Sequence, residues 1–215
     1  EEIILFKFYN PFCLLKIENI ISEFEPDIVL TWMNRASSLI PNKKFKNEIT
    51  VGRLGGFYKI KNYAKCDYLI TNTMDIREYV IEQGWEEQKV EFIPNFVFRN
   101  KNSKTDFGFK KKDVLICMGR FHENKGIDIL IKAMPFLPDF KLLIVGSGSL
   151  KEHYELLINK FDLNERVKIF DWSNDISQYL NSSSVLICPS RHEPFGNIVV
   201  DGWAHKIPVI VSDTG

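Results

Sequence analysis

DVLICMGRFHENKGIDILIKAMPFLPDFKLLIVGSGSL, residues 113–150, holds two apolar runs, 114–118 and 142–145. A glycine-bounded loop (119–126) and a helical stretch (127–134) separate them. Runs of four and five apolar residues have the length of buried strands, and the periodic stretch between them has the length of a crossover helix. The pattern continues to the carboxyl end. Helical stretches 150–161, 176–180 and 198–205 alternate with apolar runs 167–170, 185–188 and 209–211. Such alternation predicts βαβ units and a parallel sheet. Ligands of such sheets bind outside the carboxyl ends of the strands. The informative loops are therefore 119–126, 146–149, 171–175 and 189–196.

The amino-terminal part repeats the pattern more weakly. Residues 12–24 read as an amphipathic helix stopped by Pro26, with strands over 27–31, 49–53, 68–71 and 89–93. A helix over 75–83 ends at Gly84. The segment 99–113 is polar, lysine-rich and without periodicity, and reads as a linker. The organisation expected is an amino-terminal α/β domain over 1–98, a linker over 99–113 and a carboxyl-terminal α/β domain over 114–215. No solenoid-type repeat is present.

Bulk properties narrow the function classes. With 28 basic and 28 acidic residues the formal charge is zero, so no global pull toward nucleic acid is implied. The four cysteines, Cys13, Cys66, Cys117 and Cys188, form no CxxC pair. That argues against a zinc site or disulfide framework and suits a reducing cytosol. No apolar run reaches the ~18 residues of a spanning helix. Lysine clusters at Lys43, Lys44 and Lys46 and at Lys110, Lys111 and Lys112 read as solvated loops. The sharper alternative is a patch touching an anionic membrane or lipid-linked substrate. Asn181-Ser182-Ser183 is a formal glycosylation sequon, read as chance. The chain opens at Glu1-Glu2 without a methionine and reads as a piece of a longer protein.

Two loops carry the candidate chemistry. In GRFHENKG (119–126), Arg120 supplies a planar fork of donors and Lys125 a compact charge, a pair that suits a diphosphate, particularly one that departs. An ordinary charged surface loop is the competing reading. In PSRHEPFGNIVVD (189–201), a helix starting near Gly196, Asn197 and Ile198 would present backbone N–H groups to an anion. Glu193 lies ahead of it, free to reach a sugar hydroxyl. Asp201 sits just over a turn inside, placed to accept bonds from a ribose diol. Gly146-Ser147-Gly148 lacks the third glycine of a dinucleotide fingerprint, since Lys151 stands there, and reads as a strand-to-helix turn. His122, His192 and His205 read as structural or exposed. Trp172 follows a strand and would wall a nucleoside base; for it and Trp203, core packing is the favoured reading.

The strings 119–134, 142–150 and 189–215 together resemble the carboxyl-terminal domain of family 4 retaining glycosyltransferases. Residues 51–73 and 90–97 are similar to the amino-terminal domain of the same family. The nearest flavour is bacterial enzymes of lipopolysaccharide and envelope-glycan synthesis. The resemblance implies a GT-B fold of two Rossmann-like domains, both incomplete here: a glycine-rich loop should precede the sequence, and closing elements should follow Gly215. It implies a nucleotide-sugar donor, a glycan or lipid-linked acceptor, no metal and no cofactor. The location implied is cytoplasmic, with peripheral contact at the inner membrane.

By the same resemblance, Arg120 and Lys125 bind the donor diphosphate, and Glu193 is the catalytic residue, the first acidic residue of the Glu–seven residues–Glu motif, beside the donor sugar. Phe195, Gly196, Asn197 and Ile198 form the sugar and phosphate loop. Asp201 holds the ribose, as Asp where the family has Glu. In the amino-terminal domain, Arg53, Gly55 and Gly56 are candidates for the acceptor side; a turn needing glycine explains the pair equally well. The competing functions are a non-catalytic remnant that binds a nucleotide-sugar or a partner, and a nucleotide-sugar epimerase. A dinucleotide oxidoreductase is disfavoured by the incomplete fingerprint.

Overall fold

A computed structural model describes residues 11–42, 46–97, 103, 105–193 and 195–213. Lys43 and Lys44, Pro194 and the final Thr214-Gly215 lie outside the described residues, as do residues 1–10 and most of 98–104. The chain divides into two compact units, Glu1–Asn95 and Phe96–Gly215.

The first unit runs α1 (Pro11–Phe24), β1 (Ile28–Trp32), α2 (Met33–Ser38), β2 (Ile49–Leu54), β3 (Tyr68–Thr71), α3 (Met74–Glu82) and β4 (Val90–Phe92). The four strands pair in parallel in the order β1-β2-β3-β4. Leu54, Tyr63, Leu69, Ile76, Val80 and Val90 form its core. Thr73 opens α3 as N-cap, its side chain accepting from the Ile76 N–H at 3.1 Å, which satisfies one of the first-turn donors. The short α2 has no counterpart in the sequence reading: MNRASS is polar, carries no apolar stripe and spans less than two turns.

The second unit runs β5 (Val114–Met118), α4 (Ile127–Ala133), β6 (Lys141–Val145), α5 (Lys151–Lys160), β7 (Val167–Phe170), α6 (Ser177–Asn181), β8 (Val185–Cys188), α7 (Asn197–Ala204) and β9 (Val209–Val211). All its strands are parallel, in the order β7-β6-β5-β8-β9. Every residue of β5 is buried because both sheet faces are covered. Leu115 and Cys117 join the cluster under α4 and α5, and Val114, Ile116 and Met118 join the one containing Tyr179, Leu180 and Ile207. The chain winds from β5 through β6 to β7, then returns to the other side of β5 for β8 and β9. This reversal places the topological switch point, and hence the expected ligand crevice, between β5 and β8.

The described part of the segment expected as a linker is not free. Phe107 stacks on Tyr179 with ring centroids 5.1 Å apart and meets Phe170 edge-on. The Lys168 ammonium donates to the Phe107 carbonyl at 2.9 Å and lies over the Phe109 ring. Two phenylalanines amid polar residues show no period, so the pattern hides their burial. Lys110, Lys111 and Lys112 are exposed. Asn181 of the formal sequon is buried, donating to the Ser103 carbonyl.

Candidate functional site

The register aligns the last residues of three strands: Met118 pairs with Val145, and Val145 with Phe170. The loops leaving them therefore open at one edge of the sheet. Met118, Gly119, Arg120, Lys125, Ser147, Trp172, Glu193, Asn197, Ile198 and Asp201 line a cleft of about 540 Å³ there. The strand ends thus bring together the two expected cations, both expected acids, the start of α7 and Trp172.

Lys125 and Glu193 form a direct ion pair between largely shielded side chains. The Ser190 hydroxyl, buried, donates to the same Glu193 carboxylate oxygen at 3.2 Å. One N–H of the Lys125 ammonium is thus engaged, and two remain for another acceptor. Arg120 is exposed and forms no ion pair among the described residues. Gly196 caps α7 at φ +77 with no side-chain acceptor, and its carbonyl takes the Val199 N–H at 2.8 Å. Asn197 and Ile198 carry the first turn into the cleft, so its wall there is the positive end of a helix. Asp201 follows one turn on. Burial raises its carboxyl pKa, partly offset by nearby His205.

Arg191, which the sequence reading passed over, ties the two loops together. Its backbone N–H donates to the Asn124 carbonyl at 2.7 Å and its guanidinium to the Glu123 carbonyl at 2.7 Å. The same guanidinium grips Asp128 bidentately at 2.8 and 2.9 Å. The loop bearing Glu193 is thereby fixed against the loop bearing Lys125. Asp128, hydrogen-bonded first by Arg191 and then by Lys132, is held at a pKa of about 2. A depressed carboxyl stabilises the fold above its unfolded pKa of about 4 and loses that contribution as pH falls through about 2. Solvent screening at the half-exposed Arg191 reduces the contribution to ~1 kcal/mol. Asp128→Asn is therefore expected to lower stability by ~1 kcal/mol near pH 7, with the gap closing between about pH 4 and pH 2. Urea unfolding of both proteins across that range checks it.

Several residues stand differently from the sequence reading. Neither tryptophan is a core residue: Trp172 is 54% exposed and lines the cleft, and Trp203 is 66% exposed on α7. A long apolar side chain beside a strand end or on a short helix gives no sign in sequence of which way it faces. Phe195 and Gly196 are not among the cleft-lining residues, although Gly196 starts the helix that is. Met118 and Ser147 line it without having been singled out. Gly146-Ser147-Gly148 is a turn knitted to the first loop, since the Ser147 carbonyl accepts from the Phe121 N–H at 2.8 Å. His205 is buried and structural, bonded to Ser177 at 2.9 Å and to the Asp201 carbonyl at 2.7 Å, while His122 and His192 are exposed. Arg53, Gly55 and Gly56 belong to the first unit.

Comparison with known proteins bears on this arrangement. Residues 99–215 match the family model described as glycosyl transferases group 1. The chain belongs to the group 1 glycosyltransferases. A lipopolysaccharide core biosynthesis glycosyltransferase of Rhizobium meliloti, LpsE, is 30% identical over 203 residues, covering 91% of this chain and 58% of that protein. An uncharacterised glycosyltransferase of Methanocaldococcus jannaschii is 30% identical over 262 residues, covering 99% of this chain and 64% of its own length. The chain thus spans about three fifths of the length of these two relatives. Among solved structures, Anabaena HepE, crystallised with UDP and glucose, superposes with a TM-score of 0.77 at 20% identity over 94% of this chain and 63% of HepE. A glycosyltransferase from Rickettsia africae gives a TM-score of 0.77 at 23% identity, covering 99% of this chain and 65% of the other. These likenesses show the α/β fold of GT-B glycosyltransferases, with parallel sheets flanked by helices.

Proposed function

We propose that this chain forms the donor site, and part of the acceptor side, of a retaining family 4 glycosyltransferase acting in bacterial envelope-glycan synthesis. The observation that carries the reading is the single cleft at the β5/β8 switch point, which gathers Arg120, Lys125, Glu193, the start of α7 and Asp201. In this reading a nucleotide-diphosphate-sugar lies with its base near Trp172 and its ribose on Asp201. Its diphosphate lies between Arg120, Lys125 and the first turn of α7. Lys125 keeps one N–H on Glu193 and offers the others to phosphate oxygens, so it links the leaving group to the residue beside the sugar. Glu193 orients the sugar and stabilises positive charge developing at its anomeric carbon. Arg120 and Lys125 neutralise the departing diphosphate, so the reading calls on no metal for that task. An acceptor hydroxyl attacks the anomeric carbon from the face the diphosphate leaves, which retains the configuration. The bond to the diphosphate oxygen breaks, and the diphosphate leaves with the electron pair and takes up the acceptor's proton.

The acceptor in this reading is a glycan or a lipid-linked sugar. Support comes from LpsE, whose name places it in lipopolysaccharide core synthesis, and from HepE, solved with UDP and glucose. No helix among the described residues is long and apolar enough to cross a membrane. We place the protein in the cytoplasm, with the exposed Lys110, Lys111 and Lys112 available to an anionic inner-membrane surface. Nucleoside diphosphate affinity in Arg120→Ala and Lys125→Ala variants tests the assignment: weaker binding by each is expected, and wild-type affinity in both would contradict it.

A further inference from the structure

The carboxyl edge of the first unit's sheet carries a second, separately built cluster. Arg53, near the end of β2, is 8% exposed. Its guanidinium donates one hydrogen bond, to the Asn95 side-chain oxygen, and lies over the Trp32 ring 4.4 Å from the centroid. No carboxylate partners it among the described residues. A guanidinium has five N–H donors, so most of this one's capacity is unspent. Burial lowers its pKa. A largely buried charge without a counter-ion is under-compensated, and the cation–π contact offsets only part of that cost. Such a group is poised for an anion.

Its neighbours define the rest of the ligand. Trp32 is the register partner of Arg53 on the edge strand, and its indole is 59% exposed. An exposed indole offers a flat apolar face, which suits the C–H face of a pyranose. Asn72, immediately after β3, is 3% exposed, and its side-chain oxygen has no partner. A buried amide oxygen without a donor carries an unmet desolvation cost and is matched by a hydroxyl. The Asn72 amide lies 3.7 Å from where a side chain on Gly55 would begin, and the Met33 sulfur 3.1 Å from the same point, so Gly55 is the floor beneath both. Met33 holds φ +70, a costly conformation for a non-glycine residue and one that concentrates at functional positions.

We propose that Trp32, Arg53 and Asn72 form a subsite for an anionic sugar, with a carboxylate or phosphate on Arg53, the ring on Trp32 and a hydroxyl on Asn72. The subsite gives the acceptor side of the proposed transferase a chemical class, and it rests on that reading only in naming the ligand an acceptor. Arg53 supplies the fork geometry that fits either anion.

Saturation-transfer NMR on the chain tests this with methyl glucuronide, glucose 6-phosphate and methyl glucoside as probes. Ring-proton signals are expected for one or both anionic probes and none for the neutral glucoside. The stronger anionic probe identifies the carboxylate or the phosphate as the preferred group. Arg53→Gln is expected to abolish binding. Trp32→Ala, at an exposed position that leaves the core intact, is expected to weaken it about tenfold, the scale of a lost stacking contact. Equal signals from the neutral glucoside, no signal from either anionic probe, or wild-type binding by the Trp32 variant would overturn the subsite. UDP, GDP and ADP added in turn to the same sample report on the second unit's cleft. Absence of binding by all three contradicts the transferase reading and leaves this subsite standing, and the converse contradicts only the subsite.

Discussion

Glu193→Gln in the complete enzyme is expected to lower kcat by at least ~100-fold, the scale seen when one preorganised electrostatic group is removed from an active site. Nucleoside diphosphate affinity is expected to stay unchanged or rise slightly. The reasoning lies in the Lys125–Glu193 ion pair and the Ser190 hydroxyl behind it. Glutamine keeps the shape and can still accept from Ser190 and Lys125, so the loop keeps its place. In the proposed reading it removes the negative charge that faces the anomeric carbon in the transition state. It also leaves more of the Lys125 charge for phosphate. A loss of kcat with retained binding marks an interaction made in the transition state. A variant that turns over like wild type would place the catalytic carboxylate elsewhere, and one that loses both properties would point to a structural role.

Gly126→Ala is expected to destabilise the chain by ~3 kcal/mol or more and to remove nucleotide binding with it. Gly126 holds φ +61, which costs an alanine ~1–2 kcal/mol by itself. A β-carbon there would also overlap the Pro189 carbonyl oxygen, an atom of backbone that no rotamer change can move. Relief requires separating the loop that carries Lys125 from the one that carries Glu193, the two loops that Arg191 clamps. Gly84 provides the control. Its φ is +98 but nothing lies within 4 Å of a β-carbon, so Gly84→Ala carries the backbone cost alone. Urea midpoints that fall equally for the two variants would show that the loop contact does not contribute.

Much of the fold was legible because buried parallel strands leave plain runs of apolar residues. The strands expected over 114–118, 167–170, 185–188 and 209–211 have those bounds in the structure. The strand order was not legible, since alternation of strands and helices is the same whichever side of β5 receives β8. Yet that order makes the loops after β5 and β8 neighbours. Arg191 escaped notice for a related reason. It stands two residues before Glu193 in a charged stretch, and its partners, Glu123, Asn124 and Asp128, are more than sixty residues earlier. Phe107 and Phe109 show the same limit: two aromatic residues without a period cannot announce burial against Tyr179 and Lys168.

Arg120, Lys125, Glu193, Asn197, Ile198 and Asp201 line the cleft, and each sits within four residues of a strand end or helix start, where position along the chain fixes position in space. The ion pair between Lys125 and Glu193 was beyond such reasoning. Sequence assigned one to phosphate and the other to sugar, and only the switch-point geometry brings them into contact.

The central claim is that Arg120 and Lys125 hold the diphosphate of a nucleotide-sugar. Isothermal titration of the complete protein with UDP, GDP and ADP identifies the base, and titration of Arg120→Ala and Lys125→Ala with that nucleotide then tests the claim. Each variant is expected to bind ~1–3 kcal/mol more weakly, the scale of a lost charge-assisted hydrogen bond. Wild-type affinity in both variants would contradict the account.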